Sequence, residues 1–577
     1  MTLRRLAALA ALALGAALAP ASPAAAHALL LRTEPAPQTT VKTAPSAVKL
    51  FFSEPVEVTF GAIRVFDVDG KRVDPGKINR VGDGSQVDVP LSGIKDGTYT
   101  VTWRAVSADG HPVSGGFTFY VGNPSTISAV AIPSDQGAGR LVGWGFGAVR
   151  FAWLSALLGL IGAVVVRRWV WTPAVRAAGP GASEAAAAFR RRFRPALLGA
   201  WIVLAVAGAL ALAFQAASAS GLSLFSAARP SVLGDVLKTN YGRLWLVQAA
   251  LTVAVAVPVV ALAGRRPRWG VRPDVWVGLV LVLGAGLAAA AALNGHARTL
   301  PRSTLAVGSV TVHLLAVAVW VGGLAVLVAV GGPAWRRLGA AERPRLLRQL
   351  VPRFSRLAVG AVALVLVTGT VNAFLELATP GDLWRLSYGR AILAKIVLLA
   401  LALALAARHR WVVPKRLSAG GEEGAAAVAS FERSSAWETA ALGLTVAVTA
   451  GLVVLVPGRT VALAASGPVN QTARTSGYTV QLYIDPTHVG ANEFHVSFVT
   501  PDGLAAADVA NATVSLAALG AAPGPLAMRL ISPGHFVGDG DLPAPGHYQL
   551  AVDATAGSTK ASTTFTFRLR ESKGATP

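Results

Sequence analysis

Two kinds of hydrophobic pattern divide the 577 residues of the chain. Near both ends, short segments alternate apolar and polar residues, which is typical of strands that bury one face. In the middle, eight continuous apolar stretches follow one another, most of them long enough to cross a bilayer as helices. They lie at 141–166, 195–218, 243–263, 275–294, 305–330, 357–378, 391–407 and 437–457. The pattern predicts a multidomain protein with an antiparallel β-sandwich, an eight-helix transmembrane bundle and a second β-sandwich.

The two alternating regions contain five candidate strands each, separated by turn signals such as Asp-Gly and Pro-Gly. In residues 27–123 the strands lie at 48–52, 61–67, 86–89, 97–104 and 115–121. In residues 466–577 they lie at 478–484, 493–500, 513–519, 546–553 and 562–569. Short strands at this spacing favour sandwiches. Residues 124–140 then form a linker between the first sandwich and the membrane region at 141–457.

Residues 1–26 have the features of a secretory signal peptide: two arginines, an apolar run and an Ala-Ala-Ala end. Cleavage after Ala26 would make His27 the first residue of the mature chain. Its free α-amine and imidazole would then form a chelate suited to Cu(II). The alternative is that cleavage falls elsewhere and His27 is an ordinary surface residue.

The formal net charge of +23 is concentrated in the membrane region. Residues 126–465 hold 34 basic residues against 11 acidic ones, whereas the two β regions are nearly balanced. Of these basic residues, 23 fall in alternate loops at 167–194, 265–272, 336–356 and 408–433. Such loops are expected in the cytoplasm. Both sandwiches are therefore expected to be extracytoplasmic on a multi-pass plasma-membrane protein, and the charge indicates a lipid bilayer as partner and no nucleic acid.

The membrane region also shows a weak internal duplication. Tyr241-Gly242-Arg243 opens the third apolar stretch, and Tyr388-Gly389-Arg390 opens the seventh. A shift of four helices preserves the orientation of each helix, so the pattern predicts a parallel repeat of four plus four helices.

The chain has no cysteine and two methionines, so a metal site must use mainly nitrogen and oxygen. In the first β region Asp109 and His111 are two residues apart, and an extended segment would point both to one face. With His27 they would supply a tetragonal set of three nitrogens and one oxygen, which suits Cu(II). The alternative is an Asp-Gly turn with a surface histidine.

Three ordered segments of the first β region resemble the CopC family of extracytoplasmic copper proteins. The three segments are His27-Ala-Leu-Leu-Leu-Arg, Leu50-Phe-Phe-Ser-Glu-Pro-Val and Asp109-Gly-His-Pro-Val-Ser-Gly. The resemblance covers nearly all of residues 27–123. It implies one Cu(II) site built from the amine and ring of His27 with Asp109 and His111. It also implies that Glu54 lies beside these ligands as a supporting or weak axial group.

Ionisable residues in the apolar stretches mark candidate functional positions. His296 follows the fourth stretch and His313 lies about two turns into the fifth, so both are expected near the outer face as a candidate copper site. Glu376 and Lys395 are further candidates for a pathway, with mutual pairing as the alternative. His409 falls in a basic loop and is expected to be solvated in the cytoplasm.

Residues 141–457 resemble the CopD family of copper-associated membrane proteins. The resemblance rests on eight spans, the Tyr-Gly-Arg starts and the run from His313 through Trp320-Val-Gly-Gly. A CopC-like domain placed directly before a CopD-like one is itself an arrangement of that family. The resemblance implies movement of copper across the cytoplasmic membrane, most often described as uptake.

The last β region resembles YtkA-like sandwiches through residues 489–498 and 545–550. Its four histidines and one methionine suggest a candidate accessory copper site made by His488, His495, His535, His547 and Met528. Surface or turn positions are the alternative for these residues.

The sequence therefore predicts extracytoplasmic Cu(II) capture coupled to copper transport, with a role in copper homeostasis and resistance, and no enzymatic activity. No P-loop or Asp-Lys-Thr-Gly motif occurs in the chain, so ATP is not expected to drive transport directly. An extracytoplasmic copper donor or reductant is the further partner expected. The alternatives are a copper oxidase, a bis-histidine haem protein using His296 and His313, and a copper chaperone or sensor that does not transport.

Overall fold

A computed structural model describes most of the three regions of the chain. Described are residues 28, 30–37, 39–58, 63–107, 112–122, 139–264, 271–298, 300, 302–419, 421–452, 455, 469–475, 477–485, 487, 489–500, 506–532, 534–556 and 559–569. They fall into two compact units. One lies within Ala138–Gly458, and the other combines His27–Gly137 with Arg459–Pro577. The two β regions therefore belong to the same unit.

The first β region folds into a sandwich of two sheets. Its strands are β1 Leu30–Glu34, β2 Thr40–Val41, β3 Ala47–Phe52, β4 Val56–Glu57, β5 Ile63–Phe66, β6 Asn79–Val81, β7 Gln86–Pro90, β8 Gly97–Ser107 and β9 Pro112–Val121. One sheet has the order β1-β3-β7-β6, and the other has the order β2-β9-β8-β4 with β5 also paired to β8. The pairs are antiparallel except β2 with β9. All five predicted strands are present.

Alternation along the strands builds the core of this sandwich. Val48, Leu50 and Phe52 of β3 point inward and are almost fully buried, as are Val87 and Val89 of the neighbouring β7. The contact between Phe52 and Trp103 is edge to face, with ring centroids 5.5 Å apart. The period-two pattern therefore determined which residues form the core.

One carboxylate is buried at the edge of this core. Asp74 accepts hydrogen bonds from the Val65 and Gly76 amides at 2.9 and 3.0 Å and from the Arg72 guanidinium at 2.6 Å. Burial alone would raise the pKa of Asp74, but these hydrogen bonds outweigh it and the pKa is lowered. Through its hydrogen bond to Val65 of β5, the ionised carboxylate therefore stabilises the packing of the loop after β5 against the sandwich.

The last β region has two sheets that enclose a core of its own. Its strands are β10 Val469–Arg474, β11 Thr479–Asp485, β12 Gly490–Val499, β13 Ala512–Ala518, β14 Gly524–Leu526, β15 Arg529–Ser532, β16 His535–Leu542, β17 Gly546–Ala556 and β18 Thr559–Leu569. The sheet orders are β10-β11-β12-β16-β15 and β14-β13-β17-β18. The five predicted strands are again present, while β16 was not predicted because Gly538 and Gly540 interrupt its pattern.

The middle region is helical. Its helices are α1 Gly139–Val165, α2 Thr172–Ala178, α3 Ser183–Ser220, α4 Leu224–Ala227, α5 Pro230–Lys238, α6 Asn240–Ala263, α7 Pro273–Leu293, α8 Ser303–Val317, α9 Gly323–Val326, α10 Gly332–Trp335, α11 Glu342–Glu376, α12 Asp382–Arg385, α13 Ser387–Trp411, α14 Val413–Ala419 and α15 Gly421–Leu452. Wider π-helical turns at Val166–Trp171, Ala318–Gly322 and Leu327–Gly331 and short 3-10 turns at Pro180–Ala182 and His296–Arg298 connect some of them.

Seven helical segments of the described chain are long and apolar enough to cross a membrane. They correspond to the first seven predicted stretches. Helix α15 covers most of the eighth stretch but carries Glu438 inside it, and it is not among the seven. The count of eight spans therefore stays a prediction, and so does the side of the membrane on which each β region lies.

Glycines bring the first and fifth apolar segments into backbone contact. A side chain at Gly322 would overlap the carbonyl oxygen of Leu158 in α1, and one at Gly162 would overlap the backbone of Gly322. Small residues at such crossings allow the close approach of two helices. The Gly-Gly pair of the predicted CopD-like run thus has a packing role.

The two Tyr-Gly-Arg segments have the same surroundings, as a duplication predicts. A side chain at Gly242 would overlap the backbone at Val236 and Leu237 of α5. A side chain at Gly389 would overlap the backbone at Asp382 and Leu383 of α12. In both cases a short helix turns back onto the first turn of a long one, and the glycine permits the contact.

Candidate metal centres

In the first sandwich, the described residues that neighbour the predicted Cu(II) ligands in sequence lie close together in space. Ala28 is 2% exposed and packs into the same core as Val56. Leu30 pairs with Phe52, and Val56 pairs with Ser107 at the end of β8. Glu54, in the short connection between β3 and β4, is therefore flanked by the starts of β1 and of the β8–β9 connection.

The three predicted ligands themselves, His27, Asp109 and His111, lie outside the described residues. Glu54 is half-buried and has a contact of its own. The Cu(II) site thus stays a prediction, supported by a frame in which Ala28, Ser107 and Pro112 occupy one end of the sandwich.

Within the helical unit, His313 is held in a defined orientation. Its Nδ1 lies 2.9 Å from Thr368 Oγ1 on α11, and the Thr368 hydroxyl lies 2.5 Å from the Leu364 carbonyl oxygen. Because that hydroxyl donates its proton to the carbonyl, its oxygen accepts from His313 Nδ1–H. The ring also rests on Gly369, where an added Cβ would lie 3.5 Å from Cε1. The neutral ring consequently keeps a lone pair on Nε2, the atom that a metal ion needs.

A polar stripe on α11 extends from this contact. Thr368, Asn372 and Glu376 are spaced four residues apart, so they share one face of the helix. Asn372 Oδ1 is buried and has no hydrogen-bond partner among the described residues. Sequence reasoning missed Asn372, although its spacing from Thr368 and Glu376 would have revealed it.

The other predicted membrane residues approach the same stripe. Glu376 interacts electrostatically with both His296 and Lys395, and Lys395 also interacts with His313. The four predicted positions therefore lie in one region of the helical unit. No three His, Asp or Glu side chains of the described residues gather closely enough to hold a metal ion. The arrangement is a row of separated groups and not a closed coordination shell.

A second polar contact lies farther along α13. His409 Nδ1 is 2.9 Å from Glu438 Oε2, His409 Nε2 is 2.7 Å from Ser434 Oγ, and Trp320 Nε1 donates to Glu438 Oε1 at 3.3 Å. His409 and Glu438 are 7% and 2% exposed, so the expectation of a solvated His409 was wrong. The apolar neighbours Phe431 and Trp320 exclude water from the ring, and sequence reasoning missed Glu438 altogether.

The His409–Glu438 pair borders a largely apolar cavity of about 560 Å³. Lys395 and His409 are 14 residues apart on α13, which corresponds to about 21 Å along a helix. His313 and Trp320 are seven residues apart, or about 10 Å. The run from His313 to Trp320 therefore connects the row of polar groups with the buried pair.

In the last β region, two of the predicted accessory residues meet. His495 of β12 and His535 of β16 are 3% and 4% exposed, and His495 Nδ1 lies 3.3 Å from His535 Nε2. His495 Nε2 is 2.7 Å from Glu493 Oε1, and His535 Nδ1 is 3.1 Å from the Tyr120 hydroxyl of the first sandwich. Burial, with a contribution from His495, lowers the pKa of His535 to about 3. The His535 ring is therefore neutral at physiological pH.

The remaining accessory candidates are placed elsewhere. His547 lies on β17 in the other sheet, and Met528 packs against the core beside Gly538. His488 lies outside the described residues. The predicted set of five is therefore not a single site, because the two sheets separate His547 from the His495–His535 pair.

Comparison with known protein families agrees with this division of the chain. The family described as "CopC domain" matches residues 30–122. The families described as "Copper resistance protein D-like, N-terminal domain" and "Copper resistance protein D" match residues 141–301 and 348–452.

Individual proteins show the same similarity. The copper transport protein CutJ of Bacillus subtilis is 30% identical over 482 residues, which cover 83% of each chain. Copper resistance protein C of Pseudomonas syringae is 33% identical over 105 residues, 17% of this chain and 82% of that protein. The crystal structure of CopC from Methylosinus trichosporium is 31% identical over 17% of this chain and 95% of its own, with a TM-score of 0.16.

Proposed function

The chain belongs to the family of copper transport proteins that join a CopC domain to a CopD domain, and on that premise we propose that it captures Cu(II) outside the cell and carries copper inward. It is a multi-pass membrane protein, and copper is its cargo. The observation that carries the proposal is the row of four ionisable groups, His296, His313, Glu376 and Lys395, which interact electrostatically within the helical unit.

Capture is assigned to the first sandwich. The amine and ring of His27, with Asp109 and His111, form the proposed Cu(II) site, and Glu54 supports it. Two features favour this assignment: the described neighbours of these residues occupy one end of the sandwich, and nitrogen and oxygen ligands in tetragonal array suit Cu(II). In such a site Asp109 would fill the position that a copper oxidase keeps open for oxygen, so we assign the site to binding and not to enzymatic oxidation.

Passage is assigned to the polar row along α11. The His313 Nε2 lone pair, the Asn372 oxygen, which no described residue hydrogen-bonds, and the Glu376 carboxylate offer successive donors to a copper ion. Charged groups in a membrane are costly unless they pair, and Lys395 balances Glu376 when no metal is present. An arriving copper ion would compete with Lys395 for the Glu376 carboxylate, so the binding of copper to that carboxylate would be reversible.

The inner end of the passage is assigned to His409 and Glu438. The pair is buried, it lies about 21 Å along α13 from Lys395, and it borders a cavity. The basic residues at the end of α13 favour a cytoplasmic position for this end.

Capture is tested on the purified full-length chain by Cu(II) electron paramagnetic resonance and by affinity measurement. The mature chain is compared with a variant that carries one additional residue before His27, and with His111→Ala. We expect both changes to alter the spectrum and weaken binding, because each removes a nitrogen ligand. An unchanged spectrum and affinity in the extended variant would overturn the assignment of His27.

Transport is tested in proteoliposomes that contain a trapped copper-sensitive dye. We expect His313→Ala and Glu376→Gln to abolish copper entry while leaving the Cu(II) spectrum unchanged. Thr311→Val is the matched control, because the Thr311 hydroxyl donates to the Val307 carbonyl of its own helix at 2.7 Å and lies outside the polar row. Full transport by both site variants would show that the polar row is not the passage.

A further inference from the structure

An outward face of the last β region is buried although it does not belong to that region's core. Tyr483, His495 and Val537 lie side by side on β11, β12 and β16. All three are buried, at 6%, 3% and 8% exposure, yet none is a member of the core cluster formed by their inward-pointing neighbours. Something other than their own core therefore covers this face.

The covering residue that the structure identifies comes from the first sandwich. Tyr120 of β9 is 6% exposed, but the core of its own sandwich is formed by the alternate residues Phe117, Phe119 and Val121. Its ring stacks on His535 with centroids 6.2 Å apart and an interplanar angle of 20°. The two β regions thus contact each other through this tyrosine and the histidine pair.

The four polar groups at this contact form one continuous chain, from Glu493 through His495 and His535 to Tyr120. The three donor–acceptor distances along it are 2.7, 3.3 and 3.1 Å. The Glu493 carboxylate accepts from His495 Nε2–H, so His495 Nδ1 has a lone pair. That lone pair accepts from His535 Nε2–H, and His535 Nδ1 then accepts from the Tyr120 hydroxyl. With both rings neutral, each of the four ring nitrogens either donates or accepts one hydrogen bond along this chain of groups.

This arrangement has the form of a two-nitrogen metal site. Histidines that bind metals characteristically direct their other ring nitrogen to a carboxylate or another oxygen, which fixes the ring orientation. Here Glu493 and Tyr120 hold the outer nitrogens, and the inner nitrogens His495 Nδ1 and His535 Nε2 face each other with a single proton between them.

We propose that His495 and His535 bind one Cu(I) ion between their facing nitrogens, in a site completed by Tyr120 when the two β regions are docked. The ion takes the place of the bridging proton. That proton moves from Nε2 to Nδ1 of His535, where it is donated to the Tyr120 oxygen, and the tyrosine hydroxyl turns from donor to acceptor. No proton is released, and a small widening of the 3.3 Å gap makes room for the ion.

Charge selects a monovalent ion at this position. One positive charge beside the Glu493 carboxylate gives a group with no net charge, whereas a divalent ion would leave an excess charge between two rings that are 3% and 4% exposed. Cu(II) also prefers a tetragonal set of ligands, and the described residues supply two ring nitrogens here. Glu493 has a side chain that is 49% exposed, so the chain of groups reaches solvent at that end.

The Cu(I) site is distinct from the proposed Cu(II) site. Pro112, which follows His111, and Tyr120 stand at opposite ends of β9, eight residues and about 26 Å apart. Metal bound at one site therefore does not contact the other, and the two can be measured separately.

Silver ion is the probe, because it is monovalent, prefers the same ligands as Cu(I) and is redox-inert. The chain has no cysteine, so no thiol competes for it. Full-length protein in a His313→Ala background is first loaded with one equivalent of Cu(II) and then titrated with Ag⁺ by calorimetry. We expect one Ag⁺ per chain with two nitrogen neighbours by X-ray absorption, lost in both His495→Ala and His535→Ala.

Two further variants make the test independent of misfolding. Tyr120→Phe retains the stacked ring but removes the hydroxyl, and we expect it to weaken Ag⁺ binding by about 10- to 100-fold. His547→Ala and Met528→Leu are the matched controls, and both should bind Ag⁺ as the parent does. Absence of a bound Ag⁺ in the parent, or equal affinity in Tyr120→Phe, would overturn the proposal. The Cu(II) spectrum of the same samples reports separately on the capture site.

Discussion

His409 and Glu438 form a buried polar contact between α13 and α15, with His409 Nδ1 2.9 Å from Glu438 Oε2. Trp320 donates to the other carboxylate oxygen, so three apolar segments are joined at one carboxylate. Burial removes water from both polar groups, so the pair is a weak source of stability. A carboxylate buried at this cost is a candidate position for binding a cation.

The first prediction concerns this carboxylate. Glu438→Gln keeps an oxygen for the Trp320 indole but removes the negative charge that attracts a cation. We expect copper entry into proteoliposomes to fall about tenfold or more, with an unchanged Cu(II) spectrum. Glu432→Gln is the matched control, because Glu432 also binds a tryptophan, Trp335, but pairs with the exposed Arg336. Equal transport rates in the two variants would contradict the prediction.

The second prediction concerns the orientation of His313. Thr368→Val removes the acceptor of His313 Nδ1–H with little change in volume, so the ring no longer has a fixed tautomer. We expect metal affinity at the polar row to weaken by about 10- to 100-fold, measured by Ag⁺ titration of a His535→Ala protein. Thr311→Val leaves the histidine contact intact and should bind as the parent does. Loss of binding in both variants would indicate a general effect of removing a threonine.

The third prediction concerns helix packing. Gly322→Ala places a methyl group on the Leu158 carbonyl oxygen, and the backbone atoms on both sides cannot yield easily. We expect a loss of about 1 to 3 kcal/mol, seen as a lower melting temperature in detergent. Gly159→Ala is the control, since beyond its chain neighbours and the backbone of its own helix no described atom lies within 4 Å of the added methyl group. A melting temperature equal to that of Gly159→Ala would disprove the close contact.

The fourth prediction concerns Asp74 and pH. Because hydrogen bonds lower the pKa of folded Asp74, the unfolded chain takes up a proton first as the pH falls. The stabilisation is therefore present above about pH 4, the ordinary aspartate value, and is lost as the pH falls through the folded pKa. Asp74→Asn should cost about 2 kcal/mol at neutral pH and remove this dependence.

The measurement for Asp74 is hydrogen exchange of the amides in β5 and β8 of the full-length protein between pH 3 and pH 7. Asp83→Asn is the control, because Asp83 lies in an exposed turn and accepts from the amide and hydroxyl of Ser85, away from the core. A variant Asp74→Asn that exchanges like Asp83→Asn at every pH would show that the buried carboxylate does not stabilise the sandwich.

The sequence by itself determined the order of the domains and most of their elements. Alternation with period two predicted the positions of ten strands, and continuous apolar runs predicted the long helices. Both signals are local, because a strand that buries one face has alternating apolar residues and a segment that is apolar on all sides has a continuous apolar run. The ordered segments that contain His27, Glu54 and Asp109 also indicated a copper protein, through their resemblance to the CopC family. The comparisons confirm the family.

Only the tertiary structure decided which polar groups meet. Tyr120 and His535 are 415 residues apart, and His495 and His535 are 40 apart on strands whose register sets the contact. His409 is polar and lies among arginines, so its sequence neighbourhood predicts solvent, yet packing against α15 buries it beside Glu438. The physical reason is that a hydrophobic pattern records how deeply a residue is buried, whereas pairing depends on strand register and helix packing between distant segments.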